Sequence, residues 1–248
     1  MSAAWVWPLS LGLLGLVFGS FIATLAIRWP AGRSIARGRS ACDGCGATLG
    51  PGELVPVLSH VIQRGRCRHC GTPIAHSHLA IELLGCAVGL AAGIAAPGIE
   101  GAAGAVFGWL LLALAATDAV AFWLPDRLTA TLALAGLGAG ALGLGAPLGD
   151  RLIGAAAGFA VLALAAAAYR LMRGRTGLGG GDPKLFGAIG LWLGWRALPA
   201  VLLVAALLGI AWAMARAMRA DARLPLGTLL AIAAFGYWLA RQLSLTPM

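Results

Sequence analysis

Charge is what this sequence has least of. Only 11% of its 248 residues are Asp, Glu, Lys or Arg, and nine are acidic. A water-soluble domain carries about 25%, so a soluble globular class is excluded. No glycine-rich phosphate loop in a βαβ setting is present, which removes the sequence mark of a classical nucleotide site. No inverted repeat of hydrophobic segments is visible, and that weakens a carboxylate-relay transporter as a reading. The first apolar run lacks a basic leading region and a small-residue cleavage site. It reads as a retained first helix rather than a removed signal.

What the sequence has is apolar length: 60% of it is hydrophobic. Segments near the spanning length of about 20 residues recur. Eight are expected, over 6–28, 79–98, 101–122, 127–146, 151–172, 183–195, 197–218 and 225–243. The sixth is too short to cross a bilayer alone. Pro97-Gly98 marks a tight hairpin between the second and third. The fold class is an all-α multi-pass membrane protein of about eight transmembrane helices, with one small cytoplasmic loop. The expected domains are a first helix over 1–28, a tetra-cysteine loop over 29–78 and a polytopic unit over 79–248.

The net charge of +9 does not indicate nucleic acid, because the basic residues lie between apolar segments. With the N-terminus outside, the inner segments hold Arg28, Arg33, Arg37, Arg39, Arg64, Arg66, Arg68, Arg127, Arg170, Arg173, Arg175, Lys184, Arg216, Arg219 and Arg223. Those are 15 of the 18 basic residues. The positive-inside rule then puts the 29–78 loop and the interesting carboxylates at the cytoplasmic face, with the lipid bilayer as a partner and the N-terminus periplasmic.

Within that loop, Cys42-Asp-Gly-Cys45 and Cys67-Arg-His-Cys70 form two CxxC pairs. Two such knuckles can set four thiolates around Zn²⁺, a closed site with no open position for chemistry. Gly46 and Gly71 after each knuckle suit the tight turn. A cytoplasmic location disfavours stable disulfides; reduced thiols or redox pairing without metal are the alternative. His60, His69, His76 and His78 are reserve ligands. Cys86 lies inside the second span as a small apolar filler.

Four carboxylates lie within or beside spans: Glu82, Asp118, Asp126 and Asp182. Asp126 follows Pro125 at a helix start, where an acid complements the helix dipole. Glu82 sits one turn into the second span, structural or functional with equal reason. Asp118 ends an apolar run with no basic residue within eight positions. Asp182 follows Gly179, Gly180 and Gly181, which would let a substrate backbone come close. Carboxylates at the edge of hydrocarbon are costly and usually have a task. Two that face each other could share a proton and activate a water. Asp118 and Asp182 are therefore the candidate catalytic pair. Gly179, Gly180, Gly181, Lys184 and Glu82 are the candidate substrate-binding residues. A transporter and a metal-stapled scaffold for assembly proteins are the rivals from other classes.

In order along the chain, these residues resemble the type IV prepilin peptidase family of GxGD-type intramembrane aspartic proteases. Gly19-Ser20-Phe21 through Arg28-Trp29-Pro30 is similar to its opening GSFxNVxxxRxP. Arg64-Gly65-Arg66-Cys67-Arg68-His69-Cys70-Gly71 is similar to its RGRCRxCG stretch, and Ile81-Glu82-Leu83-Leu84 to its VELLT segment. Asp118 with Leu124-Pro125-Asp126, and Gly179-Gly180-Gly181-Asp182-Pro183-Lys184-Leu185, resemble the blocks that carry its two catalytic aspartates. The resemblance implies cleavage of type IV prepilins or type II secretion pseudopilins at the cytoplasmic face of the bacterial inner membrane, after a short basic leader. It also implies methylation of the new N-terminal amine with S-adenosylmethionine. The departures are Ala23 for the family Asn, Pro51-Gly52-Glu53-Leu54 for Trp-x-Asp-Asn, and His60 for Trp. They fall in or near the first cytoplasmic loop, which the family associates with methylation. Cleavage without methylation is the alternative they raise.

Overall fold

The structure, a computed structural model, describes residues 5–34, 39–174, 177–218 and 223–245. Arg37, Arg175 and Arg219, which entered the charge asymmetry, lie outside them. The helices are α1 (Val6–Arg28), α2 (Leu58–Ile62), α3 (His76–Ala95), α4 (Ile99–Ala121), α5 (Asp126–Ala141), α6 (Leu148–Arg173), α7 (Asp182–Leu193), α8 (Leu198–Ala215) and α9 (Leu226–Leu245). All eight expected segments are helical. Six are long and apolar enough to cross a membrane; α5 and α7, at 16 and 12 residues, are shorter. Among the described residues the only β pairing is two isolated bridges, Ala41 with Thr48 and Arg66 with Pro73.

The helices pack closely because glycines let backbones touch. A Cβ on Gly15 of α1 would lie 2.1 Å from the Gly85 oxygen of α3, and one on Gly89 would lie 2.1 Å from the Leu11 oxygen. Small residues do this work in membranes, where lipid provides no hydrophobic drive between helices. Trp109 of α4 ties on by donating Nε1–H to the Gly85 oxygen at 2.9 Å. The α6–α7 contact repeats the device: a Cβ on Gly190 would sit 2.2 Å from the Gly154 oxygen.

Helix α7 explains its own shortness. Ten of its twelve residues are buried, so protein rather than lipid surrounds it. Phe107 of α4 stacks on Trp192 with centroids 4.8 Å apart, and Trp192 Nε1–H donates to the Leu132 oxygen of α5 at 2.7 Å. By contrast α6 and α8 turn Leu164, Leu171, Leu203, Leu207 and Ile210 outward. Such a surface is unfavourable in water and matched to hydrocarbon.

Arg151 corrects the sequence reading. The sequence puts it at the first position of the span 151–172, where an arginine would face the outer water, but α6 starts at Leu148, three residues earlier. Positive φ at Gly143 and Gly145 turns the chain early and ends α5 at Ala141. Arg151 is 1% exposed. Its guanidinium donates to the Ala146 oxygen at 2.7 Å, Gly136 at 2.7 Å, Leu191 at 2.9 Å, and Leu144. One side chain thus gathers the C-terminal carbonyls of α5 and α7 with the loop between α5 and α6. Cations suit helix C-termini for the same reason. This brace holds the far end of α7, opposite Asp182.

Candidate active site and cysteine centre

Three helix ends converge at the other pole. Asp118 lies in the last turn of α4, 5% exposed, and Asp182 in the first turn of α7, 6% exposed. Leu124 bridges them, packed against Gly181 beside Asp182 and against Gly227 beside Asp118, and each carboxylate lies within reach of the other's charge. The structure therefore brings together the two aspartates that the sequence placed in one leaflet. Asp182 Oδ2 accepts the Gly179 N–H at 3.0 Å, and Asp182 N–H donates back to the Gly179 oxygen at 3.2 Å.

The three glycines before Asp182 serve space rather than backbone freedom, since none adopts positive φ. A Cβ on Gly181 would meet the Leu124 Cβ at 2.7 Å, and one on Gly179 would come within 3.1 Å of Asp182 Oδ2. Around Gly180 there is open space. Only Gly180 keeps the open surface that the substrate-approach argument expects.

Sequence reasoning missed the third contributor, the start of α9. Thr228 N–H donates to Asp118 Oδ2 at 2.8 Å, and Thr228 Oγ1 lies 3.2 Å from the same oxygen and 3.0 Å from the Ala115 oxygen. The Gly227 amide also faces Asp118. A Cβ on Gly227 would stand 3.0 Å from Asp118 Oδ2 and 2.9 Å from Leu124 Cδ2. First-turn N–H groups have no helical partner, so a carboxylate from another helix can cap them. The local signal was Pro225 beside Gly227 and Thr228, a helix-start pattern. Nothing in it names Asp118 as the acceptor.

Lys184 Nζ donates to Asp126 Oδ1 at 2.7 Å, an exposed pair joining α7 to the start of α5. Asp126 is thus a helix-start acid with a cation partner. Between these elements opens a cleft of about 540 Å³, lined by Trp29, Trp123, Leu124, Pro125, Asp126, Arg127 and Gly181. Trp29 meets Trp123 edge to face at 5.8 Å. Glu82 sits apart from the aspartate pair, 4% exposed on α3. It accepts the Val57 N–H at 2.7 Å and pairs with His78 at 3.4 Å. Val57 has φ 61°, so Glu82 pins a strained turn of the cysteine loop onto the helices. Ala23, one of the departures, is fully buried in α1.

The cysteine loop closes on itself. The Sγ atoms of Cys42, Cys45, Cys67 and Cys70 all lie within 4.8 Å of one another. Cys42 and Cys70 are 3.8 Å apart, about the edge of a tetrahedron with ~2.3 Å metal–sulfur bonds. The two knuckles repeat each other. Cys42 N–H donates to Ala47 O and Cys67 N–H to Thr72 O, and the Gly46 and Gly71 amides return to Cys42 O and Cys67 O. Gly46 and Gly71 have φ 72° and 71°, a conformation costly to any residue with a Cβ. The Gly44 and His69 amides point at Cys42 and Cys67 sulfur at 3.4 Å. Hydrogen bonds from the Thr72 hydroxyl and amide pull the Cys70 thiol down to about 6, and the Cys45 and Gly44 amides lower Cys42. Cys45 is pushed the other way, to about 11, by its hydrogen bonds with Cys70 and Cys42, so it is the spacing of the four sulfurs that fits a thiophilic cation, which takes them as thiolates.

Comparison with known proteins locates both regions. Residues 13–96 match the model of the bacterial peptidase A24 N-terminal domain, and residues 105–214 match that of the type IV leader peptidase family. A prepilin leader peptidase/N-methyltransferase of Burkholderia pseudomallei (strain K96243) is 42% identical over 251 residues, covering 88% of this chain and 81% of that protein. Proteins of the same name from Aeromonas hydrophila and Bacillus subtilis (strain 168) are 40% and 39% identical, over 82% and 90% of this chain and 70% and 89% of theirs. No solved structure matches the chain.

Proposed function

We propose, because the chain belongs to the type IV leader peptidase family, that it is a membrane aspartic endopeptidase that removes the basic leader from prepilins or pseudopilins and N-methylates the new terminal residue. The observation that carries the peptidase half is the meeting of Asp118 and Asp182, both buried, at the converging ends of α4, α7 and α9. Like charges this close favour one ionised and one protonated carboxyl. The ionised aspartate takes a proton from water as the water oxygen bonds to the scissile carbonyl carbon. The protonated aspartate gives its proton to the carbonyl oxygen. Collapse of the tetrahedral centre then breaks the C–N bond, and the amine leaves with a proton returned from the pair. Open space at Gly180 suits an extended substrate backbone, and the remaining candidates beside it, Gly179, Gly181 and Lys184, would frame its path. Glu82 would act at a distance, by fixing the cysteine loop. The inner-membrane setting, with this pole cytoplasmic and the N-terminus periplasmic, rests on the crowd of basic residues there.

The four-thiolate cage fits Zn²⁺ in donor type and spacing, and Cys42, Cys45, Cys67 and Cys70 would hold it as a structural staple. S-adenosylmethionine would supply an electrophilic methyl group on a sulfonium. The Trp29–Trp123 cleft fits it in part: indole faces receive a sulfonium or an adenine ring, and Arg127 suits its carboxylate. That cleft touches Gly181, so an amine released at the aspartates emerges beside it.

The test is intact-mass spectrometry of a prepilin incubated with detergent-purified protein and S-adenosylmethionine. Loss of the leader plus one methyl is the expected product. An unchanged prepilin across several cognate substrates, with ion flux in vesicles instead, would replace the reading by the transporter.

A further inference from the structure

The two aspartates do not have equal surroundings, and the difference assigns their roles. Asp182 Oδ2 has one fixed donor, the Gly179 amide. Asp118 Oδ2 has the Thr228 amide at 2.8 Å, the Thr228 hydroxyl at 3.2 Å and the positive end of α9. The hydroxyl carries one proton and has two acceptors in reach, Asp118 Oδ2 and the Ala115 oxygen at 3.0 Å. Turned to Asp118, it supports a carboxylate. Turned to Ala115, it offers a lone pair to a protonated Asp118. A backbone amide cannot make that exchange. Among the described residues no ion pair is made to Asp118. Asp126 of α5 is engaged by Lys184, Glu82 of α3 by His78 and the Val57 amide, and Arg28 of α1 by the Ala41 oxygen. Asp182 is the group whose charge reaches it.

We propose that Thr228 is a positioning residue that holds Asp118 as the ionised, water-activating member of the pair. Its hydroxyl rotates to follow the proton that Asp118 collects, and Asp182 is the proton donor to the carbonyl oxygen. This rests on the peptidase reading above. In the hydrolysis, water gives its proton to the Asp118 carboxylate while its oxygen bonds to the carbonyl carbon. The Thr228 hydroxyl swings to Ala115 in the same event, so Asp118 stays hydrogen-bonded before and after.

The experiment compares the full-length parent, Thr228→Val and Thr228→Ser across pH with a prepilin carrying an intact leader. Valine keeps the shape and the amide but not the rotor. The expected result is a kcat lower by about tenfold, the scale of one hydrogen bond to a charged group. KM stays within about twofold, the acidic limb of the pH–rate profile moves to higher pH, and serine restores both. Infrared spectra of ¹³C-aspartate-labelled protein read Asp118 without turnover. Thr228→Val shifts a carboxylate band, Thr228→Ser does not, and the valine effect vanishes in an Asp118→Asn background. Parent-like kcat and limb in the valine variant would overturn the proposal, as would a serine variant as impaired as valine or an unmoved infrared band. If the parent cuts no prepilin, the peptidase reading fails, and the infrared comparison still decides whether Thr228 governs Asp118.

Discussion

The cysteine loop and the aspartate pole face one problem, how to hold reactive side chains at the membrane edge, and they solve it oppositely. The loop draws its ligands from two short knuckles, each completed within six residues by the same turn. Its geometry is local, duplicated and closed. The aspartate pole draws on α4, α7 and α9, with Arg151 bracing the far end of α7. Its geometry is long-range, and Gly180 leaves it open to a chain from outside. A closed local cage suits a structural ion, whereas an open junction of helix ends suits a substrate.

The contrast breaks most sharply under substitution of the aspartates. Asp118→Asn and Asp182→Asn each keep shape and remove ionisation. Leader cleavage should fall by about a thousandfold or more in both, the upper range for general acid–base catalysis, read by intact mass of the prepilin. Full-rate cleavage by both single variants would end the paired-carboxylate mechanism. The cysteine loop should respond in another currency. Cys67→Ser should abolish bound metal, about one ion per chain by elemental analysis, and expose residues 39–75 to protease. Thermal melting of the helices should change little. A helical unit that melts with the loop would show that the two regions are one cooperative body.

The same contrast sets what was legible in the sequence. The knuckles were readable to the residue because CxxC spacing and the following glycine fix ligand geometry within one turn. The helices were readable because apolar length is the spanning signal. The aspartates stood out as carboxylates without local partners. Their supporting contacts did not, because Thr228 lies 110 residues from Asp118 and only packing of α9 on α4 joins them. The burial of Arg151 was hidden for a related reason. An arginine near a turn reads as solvent-facing, and the four carbonyls that bury it come from three separate elements. Glu82 was singled out as a carboxylate near the membrane edge, but its partners, the Val57 amide and His78, depend on how the loop folds back.

Arg151 tests whether the aspartate pole depends on its far end. Arg151→Met fills similar volume and leaves the Gly136, Leu144, Ala146 and Leu191 oxygens without their donor. The expected loss is about 3–5 kcal/mol, the scale for stranding buried polar partners, read as a lower melting temperature in detergent. Activity below that melting temperature should fall along with it, because α7 carries Asp182 at one end and the brace at the other. Full activity with a lowered melting temperature would mean that α7 is positioned by its packing against α5 and α6 alone.

The smallest expected effect concerns Lys184, which the sequence placed among substrate contacts. In the structure its ammonium is committed to Asp126, with side chains 48% and 73% exposed. Exposed pairs contribute at most about 1 kcal/mol, so Lys184→Ala, Asp126→Ala and the double variant should melt nearly together. Their cleavage rates should stay within about threefold of the parent, with the two single effects overlapping in the double-variant cycle. A basic leader repels an ammonium, so Lys184 would frame the substrate's path through its hold on Asp126 rather than by charge. A KM increase of tenfold in Lys184→Ala, with none in Asp126→Ala, would instead put the ammonium on the substrate and extend the open junction as far as the start of α5.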